Sequence, residues 1–324
     1  MCRIFFLICS IIHLSIYQSH SQDIPLLSQK ITSNSAFNPA ATGSDNGSIS
    51  VSYRDNFSTV PNSPNTFLLS LSSPILVSKV GVTTNIFQDR VNFLSTTIVN
   101  LGISYRILHT KSGFLSAGLS TEMTYLRLVD DTNFDNGNLD PVLVENDGRL
   151  RNYDFGAGML FTTQFFEVMF SANRLSSGWN KHSLVGTNLF GSITGKLPLF
   201  STDDLFEPYL IFRKLSSGNN YFSTGFYYTC FDRITAGLGF ASGRSINYYS
   251  SFRVDENISL GYAIQDYFGR GSKSLGLSHE VIIRVDFNRK SKEKLRIYNR
   301  PKQSKKSQIS RNPIQLRQKK KRKK

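Results

Sequence analysis

Apolar and polar residues alternate one for one along most of this chain, in segments of about ten residues. From Val99 to Ile107, every odd position carries an apolar side chain and every even position carries a small or polar one. A period of two predicts a β-strand whose two faces meet different surroundings. The pattern recurs from Ser48 to Phe287, without a helix-period stretch that could cover a sheet face. It is typical of a transmembrane outer-membrane β-barrel, in which one face meets lipid and the other lines a polar lumen.

The alternating segments predict an all-β fold of about 14 antiparallel strands in one barrel, residues 48–287. The predicted strands are 48–57, 66–73, 79–88, 93–108, 113–129, 153–163, 166–174, 185–196, 206–215, 221–229, 232–242, 245–254, 257–267 and 277–287. An even number of strands places both termini on the periplasmic side, where the turns of such barrels are short. Most links after even-numbered strands are tight, and the longest link, 130–152, follows an odd-numbered strand. The link lengths therefore favour periplasmic termini.

Residues 1–21 have the organisation of a cleaved signal peptide. Arg3 precedes an apolar run from Ile4 to Tyr17, and Ser19 and Ser21 place small residues before a cut at Gln22. The run is shorter than the roughly 20 residues that a membrane-spanning helix requires, which disfavours a retained anchor. An exported chain that spans a membrane with strands must close into a barrel, since closure satisfies every backbone group. The predicted location is the outer membrane of a gram-negative bacterium.

The stretch 22–47, after the signal, is longer than a barrel needs before its first strand. It is predicted to be a periplasmic segment or a plug that folds into the lumen. The difference matters because a barrel of about 14 strands conducts small solutes unless something fills it. Cleavage of the signal would leave Cys230 as the one cysteine, which allows neither an intramolecular disulfide nor a cysteine metal site.

Positive charge is concentrated in residues 288–324, a predicted disordered periplasmic tail. From Arg289 onward there are seventeen Lys or Arg and one acidic residue, Glu293, which gives this stretch a net charge of +16. Since the whole chain has a net charge of +15, residues 1–288 have a net charge of −1. A stretch with such charge and few large apolar residues cannot bury enough surface to offset the entropy of ordering. The terminal basic residues are Lys319, Lys320, Lys321, Arg322, Lys323 and Lys324.

Two interpretations of the tail remain open. It is either a solvated appendage or a periplasmic arm that attracts an anionic partner, such as lipid headgroups, the cell wall or an acidic protein surface. In the second case the six terminal basic residues are the candidates for partner binding. Basic runs also occur in proteins that bind nucleic acid, but export behind a signal peptide argues against nucleic acid as a partner.

The sequence predicts no catalytic, cofactor or metal site. No G-x-S-x-G motif occurs, and the three His after the signal, His109, His182 and His279, lie far apart. Residues 131–142 imitate a calcium loop, but Asn136 and Val142 stand where a turn-forming Gly and a bidentate Glu are required. The protein is therefore predicted not to be an enzyme. A hydrolase with Ser and His on neighbouring strands stays open as an alternative.

Two groups of residues are predicted to line the lumen. Gly237 and Gly239 lie within a strand, where they are expected to relieve crowding and not to bind phosphate. Glu280, Arg284 and Asp286 share the lumen face of the last strand. They are predicted to pair with charges across the interior, with a role in a solute pathway as the alternative.

Short motifs at both ends of the barrel region resemble those of the PorP/SprF family of outer-membrane proteins. Residues 38–43 read N-P-A-A-T-G and residues 53–57 read Y-R-D-N-F, similar to the family motifs N-P-A-x-x-G and Y-R-x-Q-W. Residues 261–266 and 276–281 are similar to the family's closing strands. The matching positions are Asn38, Pro39, Ala40, Gly43, Tyr53, Arg54, Gly261, Tyr262, Asp266, His279 and Glu280.

The resemblance implies an accessory barrel of the type IX secretion system, which carries large proteins across the outer membrane. It implies support for the secretion or surface attachment of specific cargo, such as gliding-type adhesins, and contacts with outer-membrane lipid, cargo and components of the apparatus. It implies neither enzymatic activity nor a cofactor. The alternation alone also fits a general diffusion or uptake porin, and an open lumen would favour that alternative.

Overall fold

A computed structural model describes residues 27, 31–43, 47–75, 79–110, 112–128, 149–177, 186–199, 204–214, 220–242, 244–269 and 276–287. The predicted signal peptide, the calcium-like loop and the basic tail with Lys319 to Lys324 lie outside these residues. Within the described ranges, no helix is long and apolar enough to cross a membrane.

Fifteen β-strands account for most of the described chain. They are Gly47–Asp55 (β1), Asn65–Ile75 (β2), Val80–Val91 (β3), Leu94–His109 (β4), Gly113–Leu128 (β5), Arg149–Thr163 (β6), Phe166–Asn173 (β7), Asn188–Gly195 (β8), Leu197–Pro198 (β9), Leu205–Lys214 (β10), Asn220–Cys230 (β11), Ile234–Ala241 (β12), Ser245–Arg253 (β13), Ile258–Tyr267 (β14) and Ser278–Phe287 (β15). Fourteen of them are long, and β9 has two residues.

The fourteen long strands form one closed antiparallel sheet. Each long strand pairs with the next long strand along the chain, and β1 pairs with β15, with Gly47 opposite Phe287 and Asp55 opposite His279. This last pairing closes the barrel, so every long strand has two neighbours and no open sheet edge faces the membrane. The fold class predicted from the alternation is confirmed.

The inner and outer faces of the barrel differ in chemistry. In β1, Ser50 and Ser52 are buried on the lumen side, whereas Ile49, Val51 and Tyr53 are exposed on the outside. The difference arises because successive side chains of a strand point to opposite faces. An apolar outer face next to a polar lumen is what a lipid bilayer requires of a barrel.

Strand ends differ from the predicted ranges by a few residues. β6 begins at Arg149 instead of residue 153, and β12 begins at Ile234 instead of residue 232. Phe231 and Asp232 have φ angles of 54° and 55°, a left-handed conformation that is uncommon outside glycine and that makes a tight turn before β12. The short strand β9 lies in a link that was predicted to have no strand, and it pairs with the first two residues of β10.

Residues 31–43, called here the lumenal segment, lie inside the barrel. The segment contains two 3₁₀ helices, Asn34–Ala36 and Pro39–Ala41, and leads towards β1. Buried apolar side chains of the wall pack against it in two clusters. The wall members are Leu68, Phe87 and Ile98 in the first cluster, and Phe114, Leu160, Met169 and Phe190 in the second.

Candidate functional site

Asn38 is the residue of the lumenal segment with the most specific side-chain contacts. Its side chain donates hydrogen bonds to the carbonyl oxygens of Met159 and Phe170, at 3.0 and 3.3 Å, on the paired strands β6 and β7. Its Oδ1 atom accepts the backbone N–H of Ala40 at 2.9 Å. This last bond caps the helix that Pro39 begins. Asn38 is fully buried. Its side-chain amide forms hydrogen bonds both within the segment and with the wall.

Glycines in the wall let the lumenal segment approach the strands closely. A Cβ atom at Gly158 would lie 2.1 Å from Oδ1 of Asn38, and one at Gly118 would lie 2.3 Å from the carbonyl carbon of Pro39. A Cβ atom at Gly81 would lie 2.2 Å from the carbonyl oxygen of Thr42. A larger residue at any of these positions would displace the segment. β3, β5 and β6 therefore each contribute one glycine to the surface against which the segment packs.

Polar side chains of the wall bind backbone groups of the lumenal segment. Ser171 and Asn173 both donate to the carbonyl oxygen of Phe37, at 2.8 and 3.0 Å. Ser104 donates to the carbonyl oxygen of Thr42 at 2.6 Å, and Ser72 accepts the N–H of Gly43 at 3.1 Å. The further donors are Asn85, to the carbonyl oxygen of Ser35, and Arg284, to that of Ile31. The small polar residues of the lumen face thus satisfy backbone groups that would otherwise be buried without partners.

Tyrosines of the wall occupy another part of the lumen. Tyr209, Tyr227 and Tyr249 form a buried cluster, with ring centroids about 5 Å apart and the hydroxyls of Tyr209 and Tyr249 3.2 Å apart. A Cβ atom at Gly239 would lie 2.2 Å from the Tyr209 hydroxyl, and one at Gly237 would lie 2.7 Å from Tyr227. The prediction that these two glycines relieve crowding in the lumen is confirmed.

Ile211 connects the tyrosine cluster to the apolar cluster around the lumenal segment. Its partly buried side chain packs against Tyr209 and its neighbours and also against the cluster that contains Ala40 and Ala41. Side chains of the β10–β14 wall and the lumenal segment therefore meet inside the barrel. The tyrosine cluster and the apolar cluster around the lumenal segment are in contact through Ile211.

The predicted charged residues of the last strand face the lumen and have charged partners. Glu280 pairs with Arg54 of β1, with Oε2 and Nη1 3.4 Å apart. Arg54 also donates to the side chains of Asn56 and Gln265. Arg284 and Asp286 pair with each other at 2.9 Å. The prediction that these residues face the lumen and have charged partners is confirmed. The partners do not lie across the interior as predicted: Glu280 pairs with the adjacent strand β1, and Arg284 and Asp286 pair within β15.

A second buried ion pair, which was not predicted from the sequence, stabilises the end of β7. Nε of Arg174 lies 2.7 Å from Oε1 of Glu122, and Arg174 adopts a left-handed φ of 60°. Asp154 accepts hydrogen bonds from the backbone and side chains of Ser176 and Ser177. These contacts fold the residues after β7 inward, and only the tertiary structure brings them together.

The structure places the motif residues in two regions. Four of them belong to the lumenal segment: Asn38, Pro39, Ala40 and Gly43. The other seven lie on β1, β14 and β15, the strands at and beside the seam, which is the pairing of β1 with β15 that closes the barrel. Of these seven, Arg54, Gly261 and Glu280 face inward, whereas Tyr53, Tyr262, Asp266 and His279 face outward. The Tyr262 hydroxyl lies 2.8 Å from Nδ1 of His279. The roles of these residues remain predictions.

The described residues contain no group of three or more His, Cys, Asp or Glu that could hold a metal ion. His109 ends β4 and His279 lies on the outer face of β15, so these two histidines are not close to each other. The chemistry of the interior is that of packing and hydrogen bonding: it holds a peptide segment in place.

Comparisons with known proteins give a family. A family model described as type IX secretion system membrane protein PorP/SprF matches residues 19–285. A comparison with curated proteins finds no match.

Several solved structures are similar to the barrel. One is the CymD monoaromatic hydrocarbon channel, with 11% identity, a TM-score of 0.44, and coverage of 80% of this chain and 94% of that chain. Another is the outer membrane protein Omp33 of Acinetobacter baumannii, with 7% identity, a TM-score of 0.46, and coverage of 75% and 98%. The KdgM porin has 13% identity, a TM-score of 0.37, and coverage of 74% and 99%. Because the family model matches most of its length, the chain belongs to the PorP/SprF family of type IX secretion system membrane proteins.

Proposed function

We propose that this protein is an accessory barrel of the type IX secretion system that supports the secretion or surface attachment of specific large cargo, such as gliding-type adhesins. The observation that carries the proposal is the family match over residues 19–285. In this role the barrel is not an enzyme and needs no cofactor. Its partners are outer-membrane lipid, components of the secretion apparatus and the cargo.

The filled interior supports this role over that of a diffusion porin. A porin of this size needs a continuous aqueous path. Here Asn38 and Ala40 are fully buried between the lumenal segment and the wall, and the tyrosine cluster around Tyr209 occupies the wall of β10–β13. We infer that the lumenal segment acts as a plug, so the contribution to secretion is made by surfaces and not by a pore.

The proposed placement in the cell follows from the sequence. The signal peptide, residues 1–21, is removed on export, and both termini of the mature chain are periplasmic. The basic tail, residues 288–324, then extends into the periplasm, where Lys319 to Lys324 attract an anionic partner such as the cell wall. Deletion of residues 290–324 is expected to remove a periplasmic protein from those that co-purify with the barrel. An unchanged set of partners would contradict the role of the tail.

A gene deletion tests the proposed function. Secreted and surface-exposed proteins are quantified in the parent strain, in the deletion strain and in the deletion strain that carries the full-length gene, and uptake of a small solute is followed in the same cultures. The expected result is loss of one or a few large proteins that carry type IX C-terminal signals, with uptake intact and with recovery on complementation. Slower uptake with an unchanged surface proteome would show a porin instead.

A further inference from the structure

The hydrogen bonds between the lumenal segment and the wall involve largely the backbone of the segment. Wall side chains hydrogen-bond to the carbonyl oxygens of Ile31, Ser35, Phe37 and Thr42 and to the N–H of Gly43. Every peptide has these backbone groups, whatever its side chains are. The wall thus has the features of a surface that recognises a bent peptide main chain.

Side chains of the segment are selected at a few positions. Asn38 supplies an amide that donates to two wall carbonyls and accepts one N–H within the segment. Ala40 and Ala41 are buried in an apolar cluster with Phe114, Leu160, Met169 and Phe190. Gly43 has a φ of 61°, and a Cβ atom there would lie 2.8 Å from Cα of Gly81. The wall therefore selects Asn, then two small residues, then Gly at fixed spacing.

The segment is separable from the barrel itself. In the described sheet, no residue of 31–43 takes part in a strand pairing, so the closed barrel does not depend on it for backbone hydrogen bonds. Two buried hydroxyls of the segment, those of Thr32 and Thr42, have no hydrogen-bond partner among the described residues. Buried polar groups without partners weaken an association. The contact resembles a bound ligand more than an integral part of the sheet.

We propose that the inner wall of β2–β8, together with Arg284 of β15, is a peptide-binding site, which holds the lumenal segment as an intramolecular ligand and binds the same peptide when it is supplied as a separate molecule. The ligand class is a short peptide that contains Asn-Pro, two small residues, a residue that is buried as Thr42 is, and Gly. A peptide of this chemistry from another chain competes with residues 38–43 for the wall. The site is defined by contacts in the lumen and does not depend on the secretion role.

A cut made after folding tests this site without disturbing assembly. A protease site replaces residues 44–46 in the full-length chain, the protein is folded in detergent, and the chain is then cut. The released segment is removed by repeated exchange into fresh buffer, and a fluorescent peptide of residues 31–43 is titrated into the cut barrel. Saturable binding is expected, and the uncut barrel, whose site is occupied, is expected to bind much less.

A matched peptide tests the specificity. Asn38→Asp keeps the size of the side chain and the acceptor for the N–H of Ala40, but it places a carboxylate oxygen against the carbonyl oxygens of Met159 and Phe170. This peptide is expected to bind at least about tenfold more weakly. Equal binding of the two peptides, or no binding to a cut barrel that still migrates as the folded form, would overturn the proposal. Neither result bears on the secretion phenotype, which is measured in cells.

Discussion

Arg54 of the first strand and Glu280 of the last strand meet inside the lumen, with Nη1 and Oε2 3.4 Å apart. Both side chains are buried, and the two residues lie on directly opposed positions of the seam, since Arg54 faces Glu280 in the pairing of β1 with β15. The ion pair therefore fixes the register at the one place where strands distant in sequence must find each other. In a barrel, a shift of one residue at the seam would move lumen residues to the lipid face.

Loss of Arg54 is expected to destabilise the barrel strongly. Arg54→Ala leaves the Glu280 carboxylate buried without its cation, and the free energy of unfolding is expected to fall by about 3 kcal/mol. Urea unfolding in lipid vesicles measures this change. Arg253→Ala is the control, because its pair with Asp232 is about one-third exposed, and it is expected to lose about 1 kcal/mol or less. Equal losses for the two variants would contradict a special role for the seam pair.

Asn38 is expected to be the main anchor of the lumenal segment. Asn38→Ala removes the hydrogen bonds to Met159, Phe170 and Ala40, and the expected loss of stability is about 2 kcal/mol. The segment is also expected to become accessible to a protease added to the folded protein. Asn34→Ala serves as the control, since Asn34 is exposed and makes one long contact of 3.5 Å with Glu167. If the two variants resist the protease equally, Asn38 is not the anchor.

Gly158 is expected to be required for closure of the lumen. A methyl group at this position would overlap the side chain of Asn38, so Gly158→Ala is expected to displace the segment, at a cost of about 1–3 kcal/mol. Cells that produce the variant are expected to become more sensitive to antibiotics that the outer membrane normally excludes. Gly191→Ala is the matched control, because a methyl group there has its nearest neighbour at 3.9 Å. Identical sensitivity of the two strains would show that the segment does not close the barrel.

Gly239 is expected to be required by the tyrosine cluster. Gly239→Ala would place a methyl group 2.2 Å from the hydroxyl of Tyr209, and the resulting overpacking is expected to cost about 1–3 kcal/mol. The double variant Gly239→Ala with Tyr209→Phe removes the hydroxyl in question, so part of the lost stability is expected to return. Unfolding of the single and double variants measures this coupling. An additive effect of the two changes would mean that the hydroxyl is not the source of the clash.

The strands could be predicted from the sequence because their cause is local. Two-residue alternation, as in the stretch from Val99 to Ile107, depends only on which face of a strand meets lipid. On the outer face of β4, Leu101, Ile103, Tyr105 and Ile107 are exposed as expected. The lumen face of Glu280, Arg284 and Asp286 follows from the same rule. Gly237 and Gly239 were correctly assigned to crowding, since a strand glycine on the lumen side lacks other local explanations.

The part of the wall that binds the lumenal segment could not be predicted, because the binding depends on contacts between residues far apart in sequence. Leu68, Phe87 and Ile98 face inward, where the alternation predicts polar residues, and they do so because the segment packs against them. The run Phe67-Leu68-Leu69, apolar on both faces, was the available signal. The partners of Asn38 are backbone carbonyls, which carry no sequence signal at all.

The electrical conductance of the purified full-length protein in planar lipid bilayers is the most direct test of a barrel that serves secretion through its surfaces and not through a pore. With residues 31–43 seated on the wall and the tyrosine cluster beside them, insertion of the protein is expected to give no steady current. Stable, ohmic current steps from the wild-type protein would contradict a closed lumen and would support a diffusion porin.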